Sequence, residues 1–400
     1  MVQPPSAEPG LARRVGPGLL TIYGVGVMVG AGIYVLVGHV AGSAGVWAPL
    51  AFLIAGLVAL PSALTFAEMS TRMPEAAGEV AYVERGFGWS LAIATGLAVV
   101  VTGTVSAAAV LRGGVGYLTS VVPIDPTLAI LGLGLVLTVV AILGVVESLV
   151  VIALLTLAEV SGLIAVIWAG FAAEPAAQWG AGGAIPWAGV LGAVTLCIFA
   201  FIGFEDMVNM AEEVHRPSRT MPIAIIGALS LTALLYAGVS FAAVRSTSVE
   251  ALATSEQPLA LVWETATGRP AVFLTAIAVA AALNGVLAQI VMAARVLLGL
   301  GRRAAALAVF AHAHPRFHTP ARATALVGVA VTLAAYGLAV ATLAEAAASV
   351  LLVIFCLVNG AAIRIKARVP EAPFTVPAIV PWAGLLFSLA ALVAALTGVA

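Results

Sequence analysis

Eleven apolar stretches, each long enough to cross the roughly 30 Å hydrocarbon core of a bilayer, constrain this chain more than any other feature. The chain is 62% hydrophobic and only 9% charged, whereas charged residues make up roughly 25% of an average soluble domain. Because the gaps between the stretches are short, the sequence predicts one all-α integral membrane domain over residues 1–400. The predicted spans are 17–38, 46–67, 89–121, 127–146, 148–173, 187–211, 222–244, 271–300, 323–343, 346–363 and 377–400. The third is overlong, which indicates a tilt or a non-spanning extension around Arg112, Gly113 and Gly114.

The basic residues predict the orientation. With segment 1–16 in the cytoplasm, fourteen of the 17 Lys and Arg residues fall on the cytoplasmic side and three on the outer side. We therefore expect a multi-pass protein of the plasma or inner cell membrane with a cytoplasmic N-terminus. The first stretch exceeds the roughly 7–15 apolar residues of a signal peptide, so it is predicted to be retained.

Glycines cluster in the middle of the first span, at Gly24, Gly26, Gly30 and Gly32. Broken backbone at that depth is tolerated only where it is buried in protein or lines a cavity, because lipid cannot satisfy freed N–H and C=O groups. The alternative is helix packing, since Gly26 and Gly30 also form a small-xxx-small pair. The cluster therefore predicts either a broken helix or a close helix–helix contact.

The sixth span contains a second interruption signal, Gly203 followed closely by two acids. Spans one and six would begin two five-helix halves, 17–173 and 187–363, that enter the membrane from opposite sides. Interrupted segments at matching positions in inverted halves indicate the substrate site of a transporter near the membrane midplane. The segment 377–400 would add an eleventh helix.

These motifs resemble those of the amino acid–polyamine–organocation (APC) permeases. Residues 30–34 are similar to the G-x-G-I-F/Y signature of that family, residues 199–206 resemble its sixth-helix motif, and residues 74–82 resemble its loop after helix two. The resemblance implies the inverted five-plus-five repeat of the leucine-transporter-type fold and amino acid transport. The chain departs from the family at Ala77 and Val80, where a glycine and an aromatic are usual, and in having eleven rather than twelve or more helices.

Amino acid recognition requires one site for a carboxylate and one for an ammonium. A helix that restarts after the glycines presents N–H groups and a positive dipole end to the carboxylate, and glycine permits close approach. Exposed carbonyls at both breaks would accept from the ammonium. The candidates are Gly30, Ala31 and Gly32 for the carboxylate, and Val27, Met28, Phe199, Ala200 and Ile202 for the ammonium.

Other side chains are candidates for selecting the substrate side chain. They are Phe201 and Phe204 as an aromatic lid, Thr102 and Ser106 on one face of span three, and Asn284, Gln289 and Cys356. Each also has an ordinary explanation, since phenylalanines fill cores and buried hydroxyls often bond to their own helix.

Glu159, in the middle of the fifth span, is the candidate for proton coupling. Burying a charged carboxylate costs several kcal/mol, which favours uptake of a proton. The resemblance implies a coupling role, although the family often has lysine there and the only lysine in this chain is Lys366. A neutral Glu bonded between helices is the alternative. Of the adjacent Glu205 and Asp206, which point about 100° apart on a helix, at most one should line the site.

Several function classes lack support in the sequence. Residues 276–301 contain no Ser or Thr to bind sodium, which favours protons or exchange. No metal is expected, because His312, His314 and His318 have no supporting Cys or acid nearby. No cofactor, nucleophile–base pair or nucleic-acid footprint is recognised, so no enzyme is expected.

The sequence thus predicts a secondary active amino acid transporter that works by alternating access, with protons as co-substrate or with exchange. Its expected partners are a small-molecule amino acid, protons and membrane lipid. The alternatives are an amine or polyamine transporter, in which Glu205 would face the ammonium, and a transporter-like sensor. A channel would show rings of polar groups that this chain lacks.

Overall fold

The computed structural model describes residues 15–74, 78–143, 149–180, 183–211, 214–317 and 319–397, and within these ranges every regular element is a helix. This confirms the all-α class. The helices are α1 (Pro17–Ala44), α2 (Ala48–Arg72), α3 (Gly78–Phe87), α4 (Trp89–Thr119), α5 (Pro126–Leu143), α6 (Leu149–Ala172), α7 (Trp187–Ala200), α8 (Pro217–Ser246), α9 (Val249–Thr254), α10 (Pro258–Thr267), α11 (Val272–Arg303), α12 (Ala321–Gly337), α13 (Val340–Arg368) and α14 (Ile379–Thr397).

Helices α1, α2, α4 to α8 and α11 to α14 overlap the predicted spans. Within the described ranges, eight helical segments are long and apolar enough to cross a membrane. Three apolar helices are shorter: Pro17–Gly30, Trp187–Ala200 and Ala321–Gly337. The first two are half-helices that end at the predicted interruptions, so their short length follows from the breaks.

Both predicted breaks are present. The backbone of Gly30 is not helical (φ −4°, ψ −168°), and α1 is divided there into two helical halves. Helix α7 ends at Ala200, a turn follows over residues 201–205, and a short 3₁₀ helix covers Asp206–Met210. Gly203 in that turn has φ 130°, a conformation that favours glycine because a Cβ is excluded there.

The two halves of the chain pack matching helix against matching helix. Helix α1 contacts α7, α2 contacts α8, α4 contacts α11, and α5 contacts α12. In a five-plus-five arrangement these are helices one and six, two and seven, three and eight, and four and nine. Such pairing is expected when two inverted halves are related by a pseudo-two-fold axis.

The overlong third span is one continuous helix, α4, without a separate extension. Gly113 and Gly114 lie inside this helix. A Cβ at Gly113 would collide with Val35 and one at Gly114 with Ala282, which explains why both positions are glycine. Arg112 donates to the carbonyl oxygen of Ala335 at 2.8 Å, at the C-terminal end of α12. The features that suggested an extension are therefore packing and capping contacts.

In the part of the chain that the structure describes, three short α-helices, α3, α9 and α10, lie between the spans and were not predicted. Helix α3 covers the second part of the segment that resembles a family loop, while residues 75–77 lie outside the described ranges. It packs against α4 and α13 and places Glu79 in the protein interior.

Polar contacts join α2 to the C-terminal part of the chain. Glu68, at the end of α2, forms ion pairs with Arg72 at 2.7 Å and with Lys366 of α13 at 2.5 Å. Asn359 of α13 donates to the Ser62 hydroxyl of α2 at 2.9 Å. The Ser62 hydroxyl in turn lies 3.4 Å from the Ser388 hydroxyl of α14. The single lysine and the extra helix α14 therefore both contact α2, the lysine through Glu68 and the helix through Ser62.

Candidate functional site

The two broken helices meet at their breaks. A Cβ on Gly203 would lie 2.6 Å from Val27 Cγ1 and 3.1 Å from the backbone nitrogen of Met28. A Cβ on Gly32 would lie 3.7 Å from the Phe199 ring, which is ordinary van der Waals contact. Because Gly203 has no side chain, the turn after α7 can rest directly on the backbone of α1.

Tyr236 of α8 joins the two breaks. Its hydroxyl lies 2.6 Å from the Met28 carbonyl oxygen and 2.9 Å from the Ala200 carbonyl oxygen, and it has one proton to share between them. The ring is fully buried and packs against Phe52 and Phe201. A single side chain therefore joins a carbonyl near the end of each half-helix.

A cavity of about 120 Å³, the central cavity, opens beside the breaks. A single buried water needs roughly 10–15 Å³ of such space. The central cavity therefore has room for several waters or for a small ligand. Its lining residues come from α1, α4, α6, α7, the turn after α7, and α11. They are Tyr23, Gly26, Val27, Met28, Gly30, Gly32, Ser106, Val110, Glu159, Phe199, Ile202, Ala281, Asn284, Gly285, Ala288 and Gln289.

The glycine break opens directly onto this space. A Cβ on Gly30 would meet no atom within 4 Å, so the position faces the cavity rather than a packed neighbour. The helical path restarts after Gly30, and the first N–H groups of a helix have no carbonyl partner within that helix. The cavity wall can therefore offer backbone donors to an anionic group.

Glu159 supplies the carboxyl group of the central cavity. It is 4% exposed, and its Oε2 has no hydrogen-bond partner in the described part of the chain. The Tyr34 hydroxyl donates to the Glu159 carbonyl oxygen at 3.2 Å. Tyr236, which connects the two breaks, is near enough for a charge on Glu159 to act on it.

A second, smaller space lies beside the first. This acidic cavity measures about 10 Å³ and shares Ile202 and Gln289 with the central cavity. Its other lining residues come mainly from α3, α4, α11, α13 and the segment after α7: Glu79, Val99, Thr102, Gly103, Glu205, Asp206, Met292, Leu351 and Ile354.

Hydrogen bonds hold two of its carboxyl groups in place. Glu205 Oε2 accepts from the N–H of Gly203 at 2.9 Å, and Asp206 Oδ2 accepts from Gln289 Nε2 at 3.3 Å. No group of three His, Cys, Asp or Glu side chains suited to a metal ion occurs in the ranges that the structure describes, which exclude His318.

Most of the residues predicted for the site lie together. Nine line the central cavity: Val27, Met28, Gly30, Gly32, Ser106, Glu159, Phe199, Ile202 and Asn284. Thr102 and Glu205 line the acidic cavity instead. Ala200 and Phe201 line neither of these two spaces and contact Tyr236, and the side chain of Ala31 lies outside what the structure describes.

Other residues of the site were not recognised in the sequence, among them Tyr23, Tyr236 and Glu79. On α11 a signal was available, because Ala281, Gly285 and Ala288 recur at three- and four-residue spacing and therefore share one face of the helix. Tyr236 and Glu79 gave no such signal, since their partners lie far away along the chain.

The family model described as "Amino acid permease" matches residues 19–399. The chain belongs to this family. Together with its apolar helices, this membership makes it a multi-pass membrane protein.

Three relatives indicate the range of the family. Cationic amino acid transporter 9, chloroplastic, of Arabidopsis thaliana is 27% identical over 330 residues, covering 76% of this chain and 58% of the relative. Cationic amino acid transporter 4, vacuolar, of the same plant is 28% identical, covering 84% and 60%. The methylthioribose transporter of Bacillus subtilis (strain 168) is 28% identical, covering 93% and 86%. The permease thus spans less than two thirds of the length of the two plant relatives.

Proposed function

We propose that this permease is a secondary active transporter of amino acids that works by alternating access. The observation that carries the proposal is the meeting of two interrupted helices at a cavity whose wall includes Gly30 and Glu159. Membership of the amino acid permease family and the names of the two plant relatives support the same substrate class.

The substrate carboxylate would lie against the N–H groups that follow Gly30, where the helix dipole favours a negative charge. Its ammonium would lie toward the half-helix ends around Val27 and Phe199, where backbone carbonyls can accept its hydrogen bonds. Ser106 and Asn284 would contact the remaining polar atoms. This orientation satisfies both charged ends of an α-amino acid.

Glu159 would couple transport to protons. A charged carboxylate at this depth is costly, and none of the ion pairs in the described ranges includes Glu159. Proton uptake would neutralise it and change its effect on Tyr236, which bridges the Met28 and Ala200 carbonyls. Loss or gain of one proton would thereby alter the contact between the two half-helices that must separate when the site opens.

The protein would function in the plasma or inner cell membrane with its N-terminus in the cytoplasm, as the distribution of basic residues predicts. No covalent chemistry is part of this mechanism, because binding and a change of access suffice for transport.

A second candidate substrate is methylthioribose. The alignment with the methylthioribose transporter covers a larger share of this chain than the alignments with the two plant relatives do. It also covers a larger share of the relative itself. That sugar has neither a carboxylate nor an ammonium, so it would leave the N–H groups after Gly30 without an anion. The backbone N–H groups and carbonyls at the two breaks therefore favour an amino acid.

Binding by the purified permease distinguishes these substrates. We expect α-amino acids to raise its melting temperature in a screen of the twenty amino acids, since a ligand bound only to the native state stabilises it. The matching decarboxylated amines should bind roughly ten- to a hundredfold more weakly, because unpaired buried N–H groups cost about 1–3 kcal/mol. Equal affinity for an amino acid and its amine would indicate an amine transporter, and binding of methylthioribose alone would support the second candidate.

Tyr236→Phe should weaken substrate binding severalfold and lower the unfolding free energy by about 0.5–1.5 kcal/mol, the net value of one hydrogen bond. Phenylalanine retains the ring contacts with Phe52 and Phe201 but removes the hydroxyl that bridges the breaks. Isothermal titration and thermal unfolding measure both effects. Tyr336→Phe, at an exposed tyrosine on α12, is the matched control. Unchanged binding in Tyr236→Phe would mean that the bridge does not position the site.

A further inference from the structure

The loop that joins α11 to α12 carries positive charge without a balancing acid. Residues 302–322 contain four arginines and three histidines but no Asp or Glu. One of the arginines forms an ion pair with Glu84 at 2.8 Å. The other three, the exposed Arg302, Arg316 and Arg322, take part in none of the ion pairs of the described ranges. Three guanidinium groups are therefore left without an ionic partner in the described part of the chain.

Contacts with two spans hold this loop in place. The 3₁₀ helix Ala305–Phe310 folds back onto the end of α11, where a Cβ on Gly301 would lie 2.8 Å from the Leu307 carbonyl oxygen. The Thr319 hydroxyl donates to the Ile142 carbonyl oxygen near the end of α5 at 2.6 Å. The arginines are therefore carried by a folded loop, which lowers the entropy cost of bringing them to one ligand surface.

Arg322 marks the depth of the loop relative to the bilayer. It lies one turn before Leu326 on α12, and Val329 and Leu333 continue the same face at three- and four-residue spacing. These three apolar side chains are 51%, 56% and 61% exposed in chain order, as expected of a face that meets lipid. Arg322 therefore stands at the end of a lipid-facing stripe, where a long basic side chain reaches the headgroups.

Apolar side chains of the loop lie exposed beside this arginine. Arg322 Nη1 donates to the Val309 carbonyl oxygen at 3.4 Å, and the Val309 side chain is 55% exposed. Ala305, Ala306 and Ala308 are exposed as well. Apolar residues bordered by arginines at the end of a span are typical of a segment that lies in the membrane interface. An acidic soluble protein would match the charge but would not account for apolar exposure at this depth.

We propose that this surface, the basic edge, binds the headgroups of anionic phospholipids. It consists of Arg302, Arg316, Arg322 and the 3₁₀ helix Ala305–Phe310. Each guanidinium can donate two parallel hydrogen bonds to phosphate oxygens, while Val309 lies among the first acyl carbons. With the orientation that the basic residues predict, these lipids belong to the cytoplasmic leaflet. The inference goes beyond the proposed function, because it concerns the lipid around the permease and holds for any substrate.

Binding of fluorescent lipid to the purified full-length permease in a neutral detergent tests the proposal. The probes are phosphatidylglycerol and phosphatidylcholine with the same labelled acyl chain, so that they differ in headgroup charge. We expect phosphatidylglycerol to bind at least about tenfold more tightly, since arginines near the membrane surface favour anionic lipid. The preference should shrink severalfold between 0.1 M and 1 M salt, because the Debye length falls from about 10 Å to about 3 Å.

Removal of charge from the basic edge is the second arm. The variant combines Arg302→Gln, Arg316→Gln and Arg322→Gln. It should fold, because the three side chains are exposed and lie outside the ion pairs of the described ranges. Its affinity for phosphatidylglycerol should fall about tenfold, while that for phosphatidylcholine should not change.

The matched control removes the same charge from exposed arginines elsewhere, with Arg219→Gln, Arg269→Gln and Arg368→Gln. It should retain the preference for phosphatidylglycerol. Equal affinity of the wild type for the two lipids would overturn the proposal, as would an unchanged preference in the basic-edge variant. Tight binding of poly-L-glutamate by a wild type that does not distinguish the lipids would instead indicate an acidic protein partner. The wild-type comparison decides the question even where a variant does not fold.

Discussion

Replacing Gly30 by valine is expected to abolish substrate binding while leaving the protein folded. A Cβ at this position would meet no protein atom within 4 Å, so the added side chain projects into the central cavity without displacing a neighbour. There it would occupy the space through which a carboxylate approaches the N–H groups of the restarting helix. Isothermal titration with the amino acid that stabilises the wild type most strongly measures the effect.

The structure offers a matched control for this substitution. Gly132 is an exposed glycine of α5 at which a Cβ would also meet nothing within 4 Å, so Gly132→Val adds the same side chain away from the cavity. The control should bind substrate normally. Wild-type affinity in Gly30→Val would show that the first glycine break serves helix packing and not ligand binding.

Glu159→Gln is expected to abolish proton-driven accumulation of substrate. Glutamine retains the shape of the neutral side chain but cannot release a proton, so the cavity would no longer alternate between a charged and a neutral state. Substrate binding and counterflow exchange, which need no net proton movement, should persist. In proteoliposomes the uptake of labelled substrate should lose its response to an imposed pH gradient, and its pH dependence should flatten.

Two further variants sharpen this test. Glu159→Asp keeps a titratable group and should retain part of the response to the pH gradient. Glu174→Gln removes an exposed carboxyl two residues after the end of α6 and should behave as wild type. Uptake by Glu159→Gln that follows the gradient at wild-type rates would rule out the coupling role. Loss of folding would instead support a neutral Glu that joins helices.

The breaks were predictable because their cause is local. Glycines in the first span and Gly203 before two acids mark backbone that lipid could not satisfy, and both interruptions are present at the predicted positions. The same signals located Val27, Gly30 and Phe199 in one cavity. Apolar length likewise predicted the helices of the spans, since burial of the backbone in lipid leaves few alternatives.

The rest of the site depends on contacts between distant parts of the chain. Tyr236 binds the carbonyl of Met28, 208 positions earlier, and Arg112 caps a helix 223 positions later. Nothing in the sequence around Tyr236 or Arg112 indicates which distant residue either side chain will contact. Glu79 similarly lay in a segment predicted as a loop, and only the packing of α3 brings it beside Asp206.

Ligand protection of a cysteine in the central cavity tests the central claim most directly. Ala288 lines the cavity and is exposed, so Ala288→Cys in a background without Cys197 and Cys356 provides a thiol there, and Ser120→Cys provides an exposed thiol at the end of α4. We predict that the amino acid which stabilises the permease slows alkylation of Ala288→Cys severalfold and leaves that of Ser120→Cys unchanged. An amino acid that stabilises the protein without slowing alkylation of Ala288→Cys would contradict binding between the two broken helices.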